Sequence, residues 1–473
     1  MDTNAIVRDA AGAQRAWENL GIAGRLRVLQ QAGEALANQR EALYAGLAAD
    51  GLSRILAEYY GGWIMHQGEA RLLEQQARWL VRRVDDSGGG GELLVRRADG
   101  LVLLVVPANS PTINGSALFS ILLAGNGVIV RAPGNDRGLR FIVEQILHPA
   151  LASAGISPAL VPVITSKSRA FLGRFAPHPE VRTIVFFGNA ESGRAVAAAG
   201  MMRGKKVIVE LEGGDHMIVW KDGDLDRAVA SARHAFDFST QPCIVPKHIH
   251  VHHAVFDDLI DRFLATLPKL RTIEADGGGG LLGRVMRPAG YLAALAEAQE
   301  LGQLLAGGFR MTAAGEPDDS GNYIAPTVVA FEADACIGKR LRCFEEEISF
   351  PLIPVVRFSG SDDAVAEAMV ALIRESPFGL RTSLWTSSAA VMARFVADIP
   401  DVGLFIINDD HAQAPAFASP WGGPKRSGGP YGESNLFGER TSHLQAIGGN
   451  RLTGDQLAAI TSALGCLPPE TAS

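Results

Sequence analysis

Apolar positions recur at helical spacing through the first 84 residues, as around Arg25, Val28, Leu29, Ala32 and Leu36, and predict a helical lead-in rich in Ala, Leu, Arg and Glu. From residue 93 to 106 the pattern switches to strand, and Arg96-Arg97-Ala98-Asp99-Gly100 is predicted as a hairpin turn between two β-rich runs. Alternating units follow, with strands at 128–131, 161–164, 183–187 and 206–211 and helices at 139–154 and from Glu191 onward. A second alternating region begins near residue 215. Its strands are predicted at 217–220, 249–251, 328–331, 352–358 and 382–385, and its helices at 225–236, 255–264 and 363–374. Strands alternating with helices at this spacing predict α/β cores with parallel sheets, an architecture that binds nucleotides at its strand ends. The stretch after Leu452 reads as helical and then Pro-rich, and no internal repeat is present.

Length and composition narrow the class. The 473 residues predict roughly three units of about 150 residues, or two large ones with an appendage, which excludes a single small binding module. Hydrophobic residues make up 47% and charged residues 20%, enough apolar material for more than one core. Lys plus Arg is 44 and Asp plus Glu is 51, a formal net charge of −7, so no basic excess marks a nucleic-acid partner. Met1 through Arg15 lack the order of a secretory signal, and no apolar run reaches the roughly 20 residues needed to span a bilayer. The expectation is a soluble, cytoplasmic protein without membrane or nucleic-acid partners. Cys243, Cys336, Cys343 and Cys466 are scattered without CxxC or metal-ligand spacing, which argues against a disulfide scaffold and against structural zinc. Two runs of four glycines, 88–91 and 277–280, mark surface loops.

Three local patterns carry candidate chemistry. Phe186-Phe187-Gly188-Asn189-Ala190-Glu191-Ser192-Gly193 follows an apolar strand and opens a helix, a place suited to a pyrophosphate or simply to a structural turn. Glu210 ends the apolar run Val207-Ile208-Val209, either on the ligand side of a parallel sheet or as a solvated strand end. Cys243 stands in Ser239-Thr240-Gln241-Pro242-Cys243-Ile244-Val245-Pro246, either as a nucleophile or as a small buried hydrophobe. His248, His250 and His252 alternate along one strand beside His253. Three imidazoles on one face can bind a metal, but no Cys or carboxylate lies at ligand spacing, and a polar strand face is the simpler reading. His216 is read as part of a surface turn close to Glu210, with modulation of Glu210 as the alternative. Phe119, Trp385, Phe405 and Phe417 are read as core residues, with an aromatic substrate funnel as the alternative.

Taken in order, seven segments resemble the aldehyde dehydrogenase superfamily. Val106-Pro107-Ala108-Asn109-Ser110-Pro111 resembles "TPWNFP", and Val128 to Arg131 with Ala132-Pro133 resembles "VVLKPS". Residues 186–193 resemble "FTGSTEVG", Glu210-Leu211-Glu212-Gly213 resembles "ELGG", and Thr240-Gln241-Pro242-Cys243 resembles "GQxC". Glu346-Glu347-Ile348-Ser349-Phe350-Pro351 resembles "EEIFGP", and residues 420–428 resemble "PFGGxKxSG". The resemblance implies a Rossmann-like NAD(P)-binding domain (1–84 and 101–212), an α/β catalytic domain (213–427), a small β oligomerisation arm (85–100 and 428–450) and a C-terminal tail (451–473). It places the 93–106 hairpin in the arm, the 88–91 glycines as its hinge, and a homodimer or homotetramer as the assembly.

The same resemblance implies roles. A Cys243 thiolate attacks an aldehyde, the oxyanion is held by the Asn109 amide and the Cys243 backbone N–H, and hydride leaves to the nicotinamide. Glu210 then activates water against the thioester, giving a carboxylic acid. Pro107, Arg131, Gly188, Asn189, Gly193, Leu211 and Glu347 fall at cofactor-binding positions, with no metal. Arg131 replaces the usual Lys and Gly134 an acidic residue, so NADP is compatible as well as NAD. Glu212 and Gly214 in the "ELGG" region, Ser349 and Phe350 in "EEIFGP", and Ser166 after Thr165 also depart from the pattern. Two alternatives stay open: an acylating dehydrogenase or thioester reductase, and a non-catalytic assembly subunit of the same fold. Substrate shape is assigned to loops such as 415–420 and the segment near Tyr323.

Overall fold

Each alternating region of the sequence builds its own parallel sheet. The computed structural model describes residues 2–85, 91–134, 136–336, 338–412, 422–429, 437–448 and 452–465. It divides into two compact units, one of Met1–Asp50, Ala57–Val209 and Ser434–Ser473, the other of Gly51–Leu56 and Glu210–Glu433.

In the first unit a five-stranded sheet has the order Val163–Thr165, Gly127–Ala132, Leu101–Val105, Val181–Phe187, Lys206–Glu210. Leu101–Val105 is buried along its whole length and pairs in parallel with both neighbours, as a continuous apolar run should. The chain steps outward from this strand, returns beside it at Val181–Phe187, and so creates a strand-order reversal at the centre of the sheet. The helices Thr3–Glu18 and Gly21–Asn38 bury Val7, Trp17, Leu29 and Leu36, as the helical spacing predicts.

The predicted hairpin across residues 96–100 is not formed. Gly91–Ala98 pairs antiparallel with Val81–Asp85 and with Ser442–Gly448, while Leu101–Val105 enters the parallel sheet. The reason lies in the side chains: 101–105 is apolar and buried on both faces, whereas in Gly91–Ala98 Leu93 and Val95 are buried and Leu94 and Arg96, on the other face, are only half-buried. Lys206 and Thr183 both donate to the Asp99 carboxylate at the junction, fixing the change of sheet. The proposed hinge glycines 88–90 lie outside the described residues, and Gly91 opens a strand. The helix Gly454–Ala463 packs Leu457 onto Leu93 and Val95 of the three-stranded sheet.

The second unit has a seven-stranded sheet in the order Gln303–Ala306, Thr327–Glu332, Leu352–Phe358, His248–His252, His216–Val219, Arg381–Trp385, Leu404–Ile407. Its strands are parallel apart from the antiparallel first pair. Successive residues face opposite cores: Ile218 packs with Tyr291, Val356 and Phe395, and Val219 with Phe236, Ile249 and Phe263.

Two expectations change here. The His248, His250 and His252 face is interior, and His216 lies on the adjacent strand rather than in a surface turn. His216 Nδ1 is 2.9 Å from His250 Nε2, and His248 Nε2 donates to the Cys343 carbonyl at 2.7 Å. Burial pushes the His248 ring down to about 4 and holds His216 and His250 well below the ordinary value, so these rings are neutral. Among the described residues no group of His, Cys, Asp and Glu is arranged to hold a metal ion, and no helix is long and apolar enough to cross a membrane. Phe119 and Trp385 are core residues, Phe405 packs against the core, and Phe417 with the loop 415–420 lies outside the described residues. Tyr323 is buried in the second core, its hydroxyl donating to Glu274.

Candidate active site

The turn that delivers Cys243 is unusual. After the helix Leu225–Arg233, Asp237 is extended, and Phe238, Ser239 and Thr240 follow with φ of 48°, 55° and 63°. Three successive non-glycine residues in the left-handed region cost about 1–2 kcal/mol each. The surroundings enforce them: Ser239 Oγ donates to Gly283 O, Thr240 Oγ1 to Ala235 O, and Gln241 Nε2 to Phe238 O and Arg284 O. Gln241 of the "GQxC"-like segment is thus a brace for the turn.

Cys243 emerges half-buried with Sγ 4.0 Å from Glu210 Oε1. Glu210 is 5% exposed and ends the strand Lys206–Glu210, so the solvated-strand-end reading does not hold. Its Oε2 is buried without a hydrogen-bond partner among the described residues. A side chain on Gly213 would meet Cys243 O at 2.5 Å, and one on Gly214 would meet the Phe378 ring at 2.1 Å. Gly213 lets the backbone of the cysteine turn close onto the strand end that carries Glu210, and Gly214 makes room for the Phe378 ring.

Further contacts fix that strand end. Leu211 donates its N–H to Ser427 O at 3.1 Å, and Ser427 Oγ donates to Glu212 O and accepts from Gly379 N. Glu212, where the family pattern has glycine, pairs with Arg426 at 2.8 Å, and Arg426 also donates to Glu345 O and lies over Phe378. Glu347 Oε1 accepts from Gly213 N at 3.2 Å, bringing the 345–348 segment to the same place.

Burial, not pairing, dominates the electrostatics. It raises the Glu210 carboxyl well above the usual range, with Arg381 opposing and Asp215 and Glu347 adding to the rise. Burial likewise raises the Cys243 thiol well above its ordinary value, reinforced by Glu210, Glu347 and Asp215 and opposed by Arg381. The Glu347 carboxyl is pushed up to about 7. Asp215 is buried against His411 and accepts from the backbone N–H of Arg381, and the Arg381 guanidinium Nη1 donates to His411 O. Lys247, Asp215 and Arg381 were not singled out in the sequence, because a lone Lys, Asp or Arg reads there as a surface residue.

In the first unit, the remaining candidates cluster at the C-terminal ends of parallel strands. Pro107 and Asn109 follow Leu101–Val105, and Gly188, Asn189 and Gly193 follow Val181–Phe187, on either side of the strand-order reversal. Asn189 caps the helix Ala190–Met201 through Ser192 N, and a side chain on Gly188 would strike the Phe186 ring at 2.7 Å. A helix N-terminus at a switch point suits a dinucleotide phosphate; Glu191, exposed in the first turn, is the feature that opposes an anion there. Arg131 is buried and already donates to Ser166 O and Val106 O, which leaves it little freedom to grip a phosphate. Asp136, missed in the sequence, is a buried carboxyl raised by its burial and held down in part by Arg131.

Known proteins resemble this chain along most of its length. The profile of the Aldehyde dehydrogenase family matches residues 1–442. Hydroxyisobutyraldehyde dehydrogenase of Mycolicibacterium austroafricanum is 28% identical over 446 residues, covering 90% of this chain and 82% of that protein. An NADP-dependent succinate-semialdehyde dehydrogenase of Mycobacterium avium is 28% identical over 368 residues, covering 76% and 73%. Among solved structures, glyceraldehyde-3-phosphate dehydrogenase from Methanocaldococcus jannaschii, complexed with NADP, superposes with a TM-score of 0.80 at 20% identity, covering 95% of this chain and 94% of that one. That likeness shows a common fold.

Proposed function

The chain belongs to the aldehyde dehydrogenase family, and from that premise we propose that it oxidises an aldehyde to a carboxylic acid, with NAD or NADP as acceptor. The observation that carries this reading is the approach of Cys243 Sγ to Glu210 Oε1 at 4.0 Å, with the second carboxylate oxygen free of partners among the described residues. Cys243 as thiolate forms the carbon–sulfur bond to the aldehyde. The oxyanion falls to the Asn109 side-chain amide and the Cys243 N–H. The nicotinamide cofactor, when bound, accepts the hydride that leaves that carbon. Glu210 is close enough to the sulfur to take the proton of a water attacking the thioester, and its raised proton affinity makes it a stronger base than an ordinary carboxylate. The product acid leaves and the thiolate is restored.

The cofactor is assigned to Pro107, Arg131, Gly188, Asn189 and Gly193 at the strand ends and to Leu211 and Glu347. Arg131's engagement with two carbonyls favours neither NAD nor NADP. The arm, residues 85–100 and 428–450, is proposed to join copies into a homodimer or homotetramer. Its strand Ser442–Gly448 leaves Leu444 exposed, as a surface for another chain would.

The test is NAD(P)H formation, followed by absorbance with each cofactor over a panel of aliphatic, aromatic and amino aldehydes, for wild type and Cys243→Ala. Formation that depends on Cys243 and needs no CoA supports the proposal and selects the cofactor. Formation that waits for CoA overturns the hydrolytic step in favour of acylation. Cofactor binding without turnover on any aldehyde overturns catalysis altogether.

A further inference from the structure

Lys247 lies four residues beyond Cys243 and is among the largest fully buried side chains, at 2% exposure. Its Nζ donates to the carbonyl of Thr240, the last left-handed residue of the cysteine turn, and at 2.9 Å to the carbonyl of Ile348, the neighbour of Glu347. Its own backbone N–H donates to Asp215 O. Among the described residues the ammonium has these two neutral acceptors and no carboxylate at ion-pair distance. A buried ammonium without a direct counter-ion is costly, and a chain keeps one where the charge or the geometry is used.

The geometric use is visible. The Thr240 carbonyl sits where three successive left-handed residues must be held, so its bond to Lys247 closes the brace that Ser239, Thr240 and Gln241 begin. The Ile348 carbonyl belongs to the segment that brings Glu347 to Gly213. One side chain therefore ties the nucleophile's turn to the Glu347 segment. Burial lowers the proton affinity of Lys247; Glu347, Cys243 and Asp215 face it and oppose that fall by favouring the ammonium, and the neutral His248 ring lies beside it. The charged groups facing Cys243 from other elements are Glu210, Glu347 and Asp215, all acidic, and Arg381.

We propose that Lys247 is the positioning residue of the nucleophile: it locks the Phe238–Thr240 turn to the Ile348 carbonyl and supplies a buried positive charge that favours the Cys243 thiolate amid three carboxyl groups. The inference rests on Cys243 being the nucleophile, and the experiment separates the two ideas.

Lys247→Met and Lys247→Gln are compared with wild type and Cys243→Ala by steady-state kinetics and by the pH dependence of Cys243 alkylation with iodoacetamide, read on the Cys243 peptide by mass. Lys247→Met is expected to lower kcat by about 100-fold with a much smaller change in aldehyde KM, as for a misplaced reacting group. The alkylation midpoint is expected to move to higher pH. Lys247→Gln, which keeps one N–H donor but no charge, recovers part of kcat and leaves the midpoint raised. If Lys247→Met does not fold, Lys247→Gln carries the test by the same midpoint. A midpoint unmoved and a kcat within about threefold of wild type in the folded variant would overturn the inference, while loss of turnover in Cys243→Ala would leave the nucleophile reading standing. Turnover retained by Cys243→Ala would overturn both.

Discussion

Glu210→Gln separates two effects of one side chain that push in opposite directions. The substitution preserves volume and removes a negative charge whose Oε1 lies 4.0 Å from Cys243 Sγ. At an effective dielectric of about 20, Coulomb's law gives about 4 kcal/mol between unit charges at that separation, which is about a thousandfold in thiolate population. That is a ceiling, because burial favours the protonated form of Glu210 and Arg381 offsets some of its charge. Alkylation of Cys243 by iodoacetamide at neutral pH is therefore expected to quicken by about tenfold or more in the variant. Steady-state turnover is expected to fall by about 10²- to 10⁴-fold, the usual worth of a positioned general base. Rapid mixing with aldehyde and cofactor should then show a burst of NAD(P)H approaching one equivalent per site before the slow phase, since acylation survives and deacylation does not. Slower alkylation would refute the electrostatic argument and make Glu210 the acceptor of the thiol proton. Unchanged turnover without a burst would remove it from water activation.

Three other outcomes follow from the same geometry. Gly213→Ala sets a methyl group 2.5 Å from the Cys243 carbonyl oxygen, and kcat should fall by about 10- to 100-fold with a smaller change in KM; wild-type kinetics would show that the turn tolerates the shift. Ser427→Ala strips the hydroxyl that joins Glu212 O to the buried Gly379 N–H, and urea unfolding should show a loss of about 1–3 kcal/mol, a loss near zero counting against the bridge. For Glu347 the folded carboxyl titrates near 7 against an ordinary 4.5, so the unfolded chain releases its proton first and stability falls as pH rises from 4.5 to 7, then stays level. Glu347→Gln escapes that loss, and its stability relative to wild type should improve by up to about 3 kcal/mol across this window; a gap equal at both ends would refute the assignment.

How much of this was legible depended on whether the signal was local. The apolar runs at 101–105, 181–187 and 352–358 located strands because burial on both faces leaves a continuous signature. Gly91–Ala98 and Leu101–Val105 were read as partners because they are neighbours in sequence, yet their true partners come from residues 442–448 and 181–187, a choice no local pattern encodes. The histidines of His248–His252 showed their alternation but not that helices would cover that face. Cys243 and Glu210 could be found because each ends or follows a recognisable segment. The left-handed turn could not, since Phe238, Ser239 and Thr240 include no glycine to announce positive φ.

Glu212 makes the same point about departures from a family pattern. Read along the chain, a carboxylate in place of glycine beside Glu210 looks like a defect in the cofactor region. In the folded unit Arg426, 214 positions later, meets that carboxylate at 2.8 Å and also holds Glu345 O, so the added charge is neutralised. The departure has thereby become a tie between the Glu210 strand end and the Glu347 segment, parallel to the one Lys247 makes from the cysteine turn. Two cations thus anchor one short segment, 345–348, from two sides. A site assembled this way places Cys243 and its carboxylates by cation-to-carbonyl bonds as well as by packing, and its precision should be sensitive to substitutions that leave Cys243 and Glu210 themselves untouched.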